Sequence, residues 1–371
     1  MGRKLKMAIK KTPLYGKHTE NGGKMVDFAG YLLPISYSSI KEEHNNVREK
    51  VGLFDVSHMA EFLISGSSAT DFLQKMTVNN VRKLSIGEVQ YSLMCYEDGG
   101  IVDDLLIYKN VNNYMMVVNA ANHQKDLEWL KKNSNGYNLD IKDISNKTGL
   151  LALQGPKSRA LLEQILGMEI NSMGFYQFRN YLIDGIKVMI SRTGYTGELG
   201  YEIYSNSRDI SNLWDQIMSV GKKFDIQPAG LGCRDTLRLE MKYMLYGSDI
   251  SRDTNPFEAG LGWVTKLEKQ SFIGKNALLK SQNKLKKKIV CIQMLERAIP
   301  RNKNKIYFEE KIIGEITSGT MSPSLGQGIS IGYVTSKNVR IGSNVFIDIR
   351  GKKKKGFIVK PPFYKNGSLL N

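Results

Sequence analysis

Cysteine is scarce in this chain. Three residues, Cys95, Cys233 and Cys291, stand far apart in 371 positions. They share no metal-ligand spacing and fit reduced, cytosolic thiols. Long apolar runs are also missing: none approaches the ~20 residues that a membrane span needs, so no membrane association is expected. The basic start, Met1 to Lys6, is followed by neither an apolar core nor a small-residue cleavage site. A secretory leader is therefore not expected, and a transit peptide would be longer and richer in Ser and Arg. A phosphate-binding loop is absent too. Gly194, Gly197 and Gly200 fall three apart, but no Lys-Ser/Thr follows and strands flank them. No period of about 20 to 50 residues recurs, which excludes a solenoid.

Acidic residues are in deficit, with 36 Asp and Glu against 53 Lys and Arg, a formal charge of +17. Such a surplus invites a nucleic-acid reading, and Lys286–Lys288 and Lys352–Lys355 are the candidate contacts. Most of it, however, is Lys scattered among Asn and Ile, the pattern of a coding bias and of solvated faces. The expectation is no nucleic-acid partner. An acidic protein or an anionic small molecule accounts for the charge equally well.

What is present is ordinary globular composition, 41% hydrophobic and 24% charged, at a length that suits two or three domains. The informative stretch is Gly99 to Tyr108. Two glycines mark a tight turn after the strand-like Val89–Cys95, and a β-branched apolar run follows. That run carries two adjacent acids, Asp103 and Asp104. Side chains alternate along a strand, so these acids point to opposite faces and form no paired dyad. Asp104 shares its face with Leu106 and Tyr108, a combination suited to a flat heterocycle. The plain alternative is a hairpin mouth whose acids cap backbone N–H groups.

Elsewhere, strands and helices alternate in α+β fashion. Helices are expected over 42–49, 68–76, 120–131, 156–166 and 214–220, with another after the glycines of 230–232. Strands are expected at 114–119, 150–154 and 181–191. His58 lies near a plausible site with no Ser or Cys nucleophile beside it. The turn of Gly194 to Gly200 lets Tyr195 and Glu202 face one pocket, where a buried carboxylate can accept from the amino and ring N–H edge of a pterin or guanine. Arg234, near a helix start, can hold a carboxylate or ring carbonyl, oriented by Asp235 or Glu240. The plain alternative for Arg234 and Arg238 is a surface ion-pair set. Tyr243 joins only by packing over the pocket. After Lys284 a basic linker leads into short strands and turns, which read as a small all-β domain.

Several blocks together carry a family resemblance: Thr12–Tyr15, Met25–Gly30, Gly52–Met59, Gly99–Tyr108, Val118–Asn122, Ser191–Gly197, Pro228–Glu240, Asn255–Glu258 and Glu315–Leu325. In this order and spacing, from Thr12 to Phe363, the chain resembles the T-protein (aminomethyltransferase) family of the glycine cleavage system. The resemblance implies a three-domain cloverleaf of α+β class with antiparallel sheets and a C-terminal β-barrel-like domain. Its domains would be 1–60 plus 144–247 (with the folate site), 61–143 plus 248–285, and 286–371. It implies transfer of the methylene carbon of an aminomethyl group, held on the dihydrolipoyl arm of a carrier (H-protein), to tetrahydrofolate. The products would be 5,10-methylenetetrahydrofolate and ammonia. From the cysteine spacing and the basic start, no metal is expected and the expected setting is the cytoplasm. The resemblance places one acid of the Asp pair near the folate's N5–N10 region, and strand parity selects Asp104. That carboxylate would stabilise the positive charge that develops as the iminium forms.

The same resemblance has Glu202 bind the pterin's amino edge with Arg234 in support, while Met59, Tyr91, Leu106, Tyr108, Asn119, Phe175, Tyr195 and Tyr243 line the pocket. Cys233 stands where a small apolar residue is common, and the tail after Phe363 diverges. Two other readings are weaker. A folate-binding protein of iron–sulfur or tRNA maintenance would carry Lys-Gly-Cys followed by Gln-Glu, where this chain has Leu231-Gly232-Cys233-Arg234-Asp235. A folate-dependent demethylating oxidase would need a long flavin domain ahead of this module.

Overall fold

The computed structural model describes residues 9–335 and 338–370; the basic start, Met1 to Lys6, lies outside them. Two sheets and a barrel organise the chain. The first sheet has six strands in the order Phe178–Ile183, Ile186–Ser191, Gly200–Asn206, Thr148–Gln154, Gly52–Asp55 and Gln227–Pro228. The second has five, all antiparallel, in the order Val89–Cys95, Ile101–Lys109, Asn113–Val118, Ala60–Ser65 and Asp140–Asp143. The chain thus leaves the first sheet after Asp55, builds the second, and returns at Thr148.

Each sheet buries one face under helices. Ser158–Leu166 and Ile210–Gly221 lay Leu161, Leu162, Leu213, Trp214 and Ile217 on Leu151, Leu153, Tyr201 and Ile203 of the first sheet. Ala69–Met76 and His123–Asn133 cover the second with Phe72, Leu73, Leu127 and Leu130. The spacing of these apolar residues at three and four is what makes each helix one-sided. Fully burying one such Leu or Ile contributes roughly 1.5–3 kcal/mol. The two sheets then meet through their remaining faces, where Phe54, Val56, Tyr108, Val117, Leu150 and Tyr204 form one cluster. This inter-sheet layer is where a strand acid on the inner face must go.

The C-terminal segment closes into a six-stranded barrel of Lys288–Met294, Gln327–Val334, Lys311–Ser322, Lys305–Phe308, Asn344–Ile349 and Lys352–Val359. The turn-rich reading of this region holds, and closure removes the exposed strand edges. The lysine run Lys352–Lys355 lies on the last barrel strand, where Lys353 pairs with Glu310 and Lys354 with Glu296. A small three-stranded sheet, Lys10–Lys11, Tyr31–Ser36 and Lys24–Phe28, completes the fold.

The helix Leu231–Glu240 ties these bodies together. Arg238, 2% exposed, pairs with Asp249 at 2.6 Å and donates to Ser318 of the barrel at 2.9 Å. Glu240 accepts from Ser322 and Ser324 of the barrel and pairs with Arg48 at 2.7 Å, while Arg48 also reaches Glu198 at 2.7 Å. Arg238 and Glu240 are therefore buried fasteners and not a solvated helix face. Among the described residues no helix is long and apolar enough to cross a membrane. The three cysteines are buried and unbridged.

Candidate functional site

The hairpin of Val89–Cys95 and Ile101–Lys109 pairs Tyr91 with Leu106 and Leu93 with Asp104. Gly99 in its turn has φ +88°, a conformation that suits glycine. Asp104, Leu106 and Tyr108 lie on the inter-sheet face, and Asp103 lies on the helix-covered face, as alternation requires. Asp104 is held twice. The Tyr91 hydroxyl donates to Oδ2 at 3.1 Å, and the Asn119 amide donates to Oδ1 at 2.9 Å. The same Asn119 amide donates to Asp103 Oδ1 at 2.9 Å. The two acids face opposite ways, yet one amide at the strand end bridges them.

Electrostatics follow from that placement. Loss of water and the neighbouring Asp103 charge push the Asp104 carboxyl up to about 7, against the bonds from Tyr91 and Asn119. Glu202, on Gly200–Asn206, is buried and bonded by the Thr193 hydroxyl. Desolvation raises its carboxyl, while Thr193 and the positive charge of Arg234 oppose the rise. Tyr195 and Tyr243 stack, with ring centroids 5.6 Å apart and planes 24° apart. The Arg234 guanidinium lies 4.8 Å over the Tyr195 ring, and the Tyr195 hydroxyl donates to the Met244 carbonyl. Gly197, at φ +81°, approaches so closely that a Cβ there would lie 2.4 Å from Met241 Sδ.

The predicted residues divide by placement. Tyr91, Asn119 and Asp104 are joined by hydrogen bonds, and Leu106 lies opposite Tyr91 and Val117 in register. Tyr195, Tyr243 and Arg234 form an aromatic–cation stack, with Glu202 close enough to act on Arg234. Met59 is half-buried against the inter-sheet cluster. Tyr108 is fully buried, and its hydroxyl lies 2.8 Å from that of Tyr204, so it supports the layer from behind. Phe175 is half-exposed and packs edge-on against Tyr176, 4.6 Å between centroids. The neighbour Tyr176 takes the inward place, near enough to Tyr243, Glu202 and Asp104 for their charges to act on it. Neither Asp235 nor Glu240 orients Arg234 as expected: Asp235 bonds Arg238 and Glu240 bonds Arg48.

Trp263 is a further residue that sequence reading missed. It is largely exposed and stacks on Tyr91 at 6.1 Å and 18°. Only an aromatic on a glycine-flanked loop signalled it. A cavity of about 1200 Å³ opens between the helix Leu231–Glu240, the hairpin at Val26–Phe28 and the barrel. Tyr195 and Arg234 stand in its wall, and Thr317–Ser322 line the opposite side. Asp104, Tyr91 and Glu202 are not in that wall. His58 is buried, with the edge of Phe28 packed against it at 5.6 Å, and desolvation together with the Arg234 charge pushes its imidazole down to about 4. Among the described residues no group of three or more His, Cys, Asp or Glu is placed to hold a metal.

Taken together, a half-buried carboxylate, a second and buried one, a tyrosine stack and an arginine can grip a planar ring rich in N–H donors. Residues 14–269 match the GCVT N-terminal domain, and residues 287–365 match the glycine cleavage T-protein C-terminal barrel domain. The chain belongs to the glycine cleavage T-protein family. It is 44% identical over 359 residues to an aminomethyltransferase of Thermotoga sp. (strain RQ2), covering 96% of this chain and 98% of that protein. It is 46% identical over 357 residues to one of Halothermothrix orenii, covering 96% and 100%. The solved glycine cleavage system aminomethyltransferase T from Bartonella henselae superposes with a TM-score of 0.91 at 33% identity, covering 97% of this chain and 99% of that one. The chain's activity is accordingly that of an aminomethyltransferase of the glycine cleavage system.

Proposed function

We propose that this chain moves the methylene carbon of an aminomethyl group, carried on the dihydrolipoyl arm of the H-protein, to tetrahydrofolate at the Asp104 site. In the balanced transfer the carbon leaves sulfur and nitrogen and bonds to two folate nitrogens. The two hydrogens displaced from those nitrogens go to the departing amine and to the lipoyl sulfur. The observation that carries the reading is the doubly bonded, half-buried Asp104 beside a tyrosine stack and a second, buried carboxylate, Glu202.

In this reading Glu202 accepts from the amino edge of the pterin, and Arg234 and the Tyr195–Tyr243 stack hold its ring. Met59, Tyr91, Leu106, Asn119 and Tyr176 complete the wall, with Phe175 at its rim. Positioning of the acceptor nitrogen against the aminomethyl carbon supplies much of the rate. Asp104, charged above about pH 7, stabilises the positive charge that develops at the transferred carbon. In the same reading the domains are 1–60 plus 144–247, 61–143 plus 248–285, and 286–371. The setting is cytoplasmic, the lysine-rich surface favours an acidic carrier, and no metal, membrane or nucleic acid takes part.

Calorimetric titration with tetrahydrofolate, on the wild type and on Glu202→Ala, tests the site. Micromolar binding by the wild type and its loss in the variant support the reading. Absence of binding by the wild type leaves the fold intact and removes the proposed co-substrate.

A further inference from the structure

Behind Asp104, on the helix-covered face of the same sheet, lies a polar cluster that the transfer reaction does not use directly. Asp103, fully buried, accepts from the Asn119 amide at 2.9 Å, the Asn119 backbone N–H at 3.1 Å and the Asn122 amide at 2.7 Å. Asp126, on the helix His123–Asn133, is also fully buried, and its carboxyl lies close enough to that of Asp103 for the two groups to interact directly. Among the described residues no N–H or O–H group donates to either Asp126 oxygen. Lys125 comes no nearer than 3.9 Å and gives its own hydrogen bond to the Val102 carbonyl.

Two carboxylates in contact without a donor between them repel, and burying an unpaired one is costly. The contact becomes favourable only when a proton sits between the two groups. We propose that Asp103 and Asp126 act as a carboxyl pair sharing one proton, a positioning device that fixes Asn119 against Asp104 and keeps one negative charge behind it. The inference rests on Asp104 being the reacting carboxylate. Burial and the Asp103 charge hold Asp126 far above the carboxylate range, which agrees with the shared proton.

The consequence falls on Asp104. The groups that act on it are Tyr91 from the adjacent strand, Asn119 from the strand end, Asp103 beside it, Lys125 and Asp126 from the helix, and Tyr176, Tyr195 and Tyr246 from the surrounding loops. With one proton in the pair, Asp103 and Asp126 together present a single negative charge. That charge opposes ionisation of Asp104, so removing it makes Asp104 ionise at lower pH. Removing Asp126 leaves the charge in place on Asp103, which its three amide donors hold, whereas removing Asp103 leaves Asp126 buried with no donor and therefore protonated.

Two measurements on the full-length protein test this. Infrared difference spectra at neutral pH, wild type minus Asp126→Asn, should show the C=O stretch of a protonated carboxyl that the variant lacks. In the pH dependence of aminomethyl transfer, assayed with lipoylated H-protein and tetrahydrofolate, Asp126→Asn should keep the acid limb in place. Asp103→Asn should move it down by roughly one unit. A spectrum without that band, or an acid limb displaced equally by both variants, overturns the shared proton. Should Asp103→Asn fail to fold, the infrared spectrum of Asp126→Asn decides alone. Because that readout needs no turnover, it also separates failure of the pair from failure of the transfer assignment.

Discussion

Replacing Asp104 by Asn isolates the charge from the shape. The side chain keeps its size, and one of its two acceptor oxygens survives for Tyr91 or Asn119; the other position becomes an N–H2 group facing a donor. The substitution therefore disturbs the site slightly and removes the negative charge wholly. A unit charge acting across about 4 Å at an effective dielectric of about 20 is worth about 4 kcal/mol. Part of that acts on the ground state, so turnover should fall by about 10²–10³. Affinity for tetrahydrofolate should change by less than about fivefold, because Glu202, Arg234 and the tyrosine stack are untouched. The pH profile gives a second readout. The Asp104 carboxyl lies at about 7 in the fold, so wild-type turnover should drop as pH falls through that value and the carboxyl takes up a proton. The variant should have no such limb. Steady-state kinetics from pH 6 to about 9, paired with fluorescence titration of folate, measure both. Turnover within about tenfold of wild type, or affinity lost in parallel with turnover, refutes a charge-based role.

Tyr91→Phe removes a donor that favours the charged form of Asp104, so the acid limb should move up by roughly one unit in a pH–rate profile. An unmoved limb would show that the hydroxyl does not hold the carboxylate. Arg48→Ala leaves Glu198 and Glu240 buried without their shared cation, and calorimetry should report destabilisation of about 3–5 kcal/mol. An unchanged unfolding midpoint would mean that the barrel serines and His44, whose Nε2 lies 3.3 Å from Glu240, satisfy that carboxylate alone. His58, held down to about 4 against its ordinary 6.5, contributes stability that is present above about 6.5 and is lost as pH falls towards 4. Urea unfolding of the wild type should lose up to roughly 3 kcal/mol over that window relative to His58→Asn; equal pH slopes would contradict a buried neutral imidazole.

Period-two alternation is a local property, and so the acid-bearing hairpin, the opposite faces of Asp103 and Asp104 and the barrel strands were legible from residue order. Glycines at 99 and 197, whose backbones adopt positive φ, marked their turns for the same reason. Helix bounds shifted by a few residues, as for Ile210–Gly221 against the expected 214–220, because apolar spacing shows the buried stripe and not the cap. The T-protein blocks identified the family since they preserve whole stretches.

What alternation and spacing could not reveal is which side chains from distant segments meet. Asn119 stands at the end of the third strand, and only the turn of the chain there lets one amide reach acids on both faces of the second. Asp126 reads as an ordinary polar residue of an amphipathic helix until that helix lies on the sheet and sets its carboxyl on Asp103. Phe175 is half-exposed while its neighbour Tyr176, at φ +62°, lies near Tyr243, Glu202 and Asp104, a contrast that two adjacent aromatics do not announce. Arg48, Glu198 and Glu240 come from three segments and share one buried network. Residue order determined the strands, their faces and the family. Packing decided which buried charges meet, because a carboxyl's state depends on neighbours within a few ångströms, and those neighbours lie many positions away along the chain.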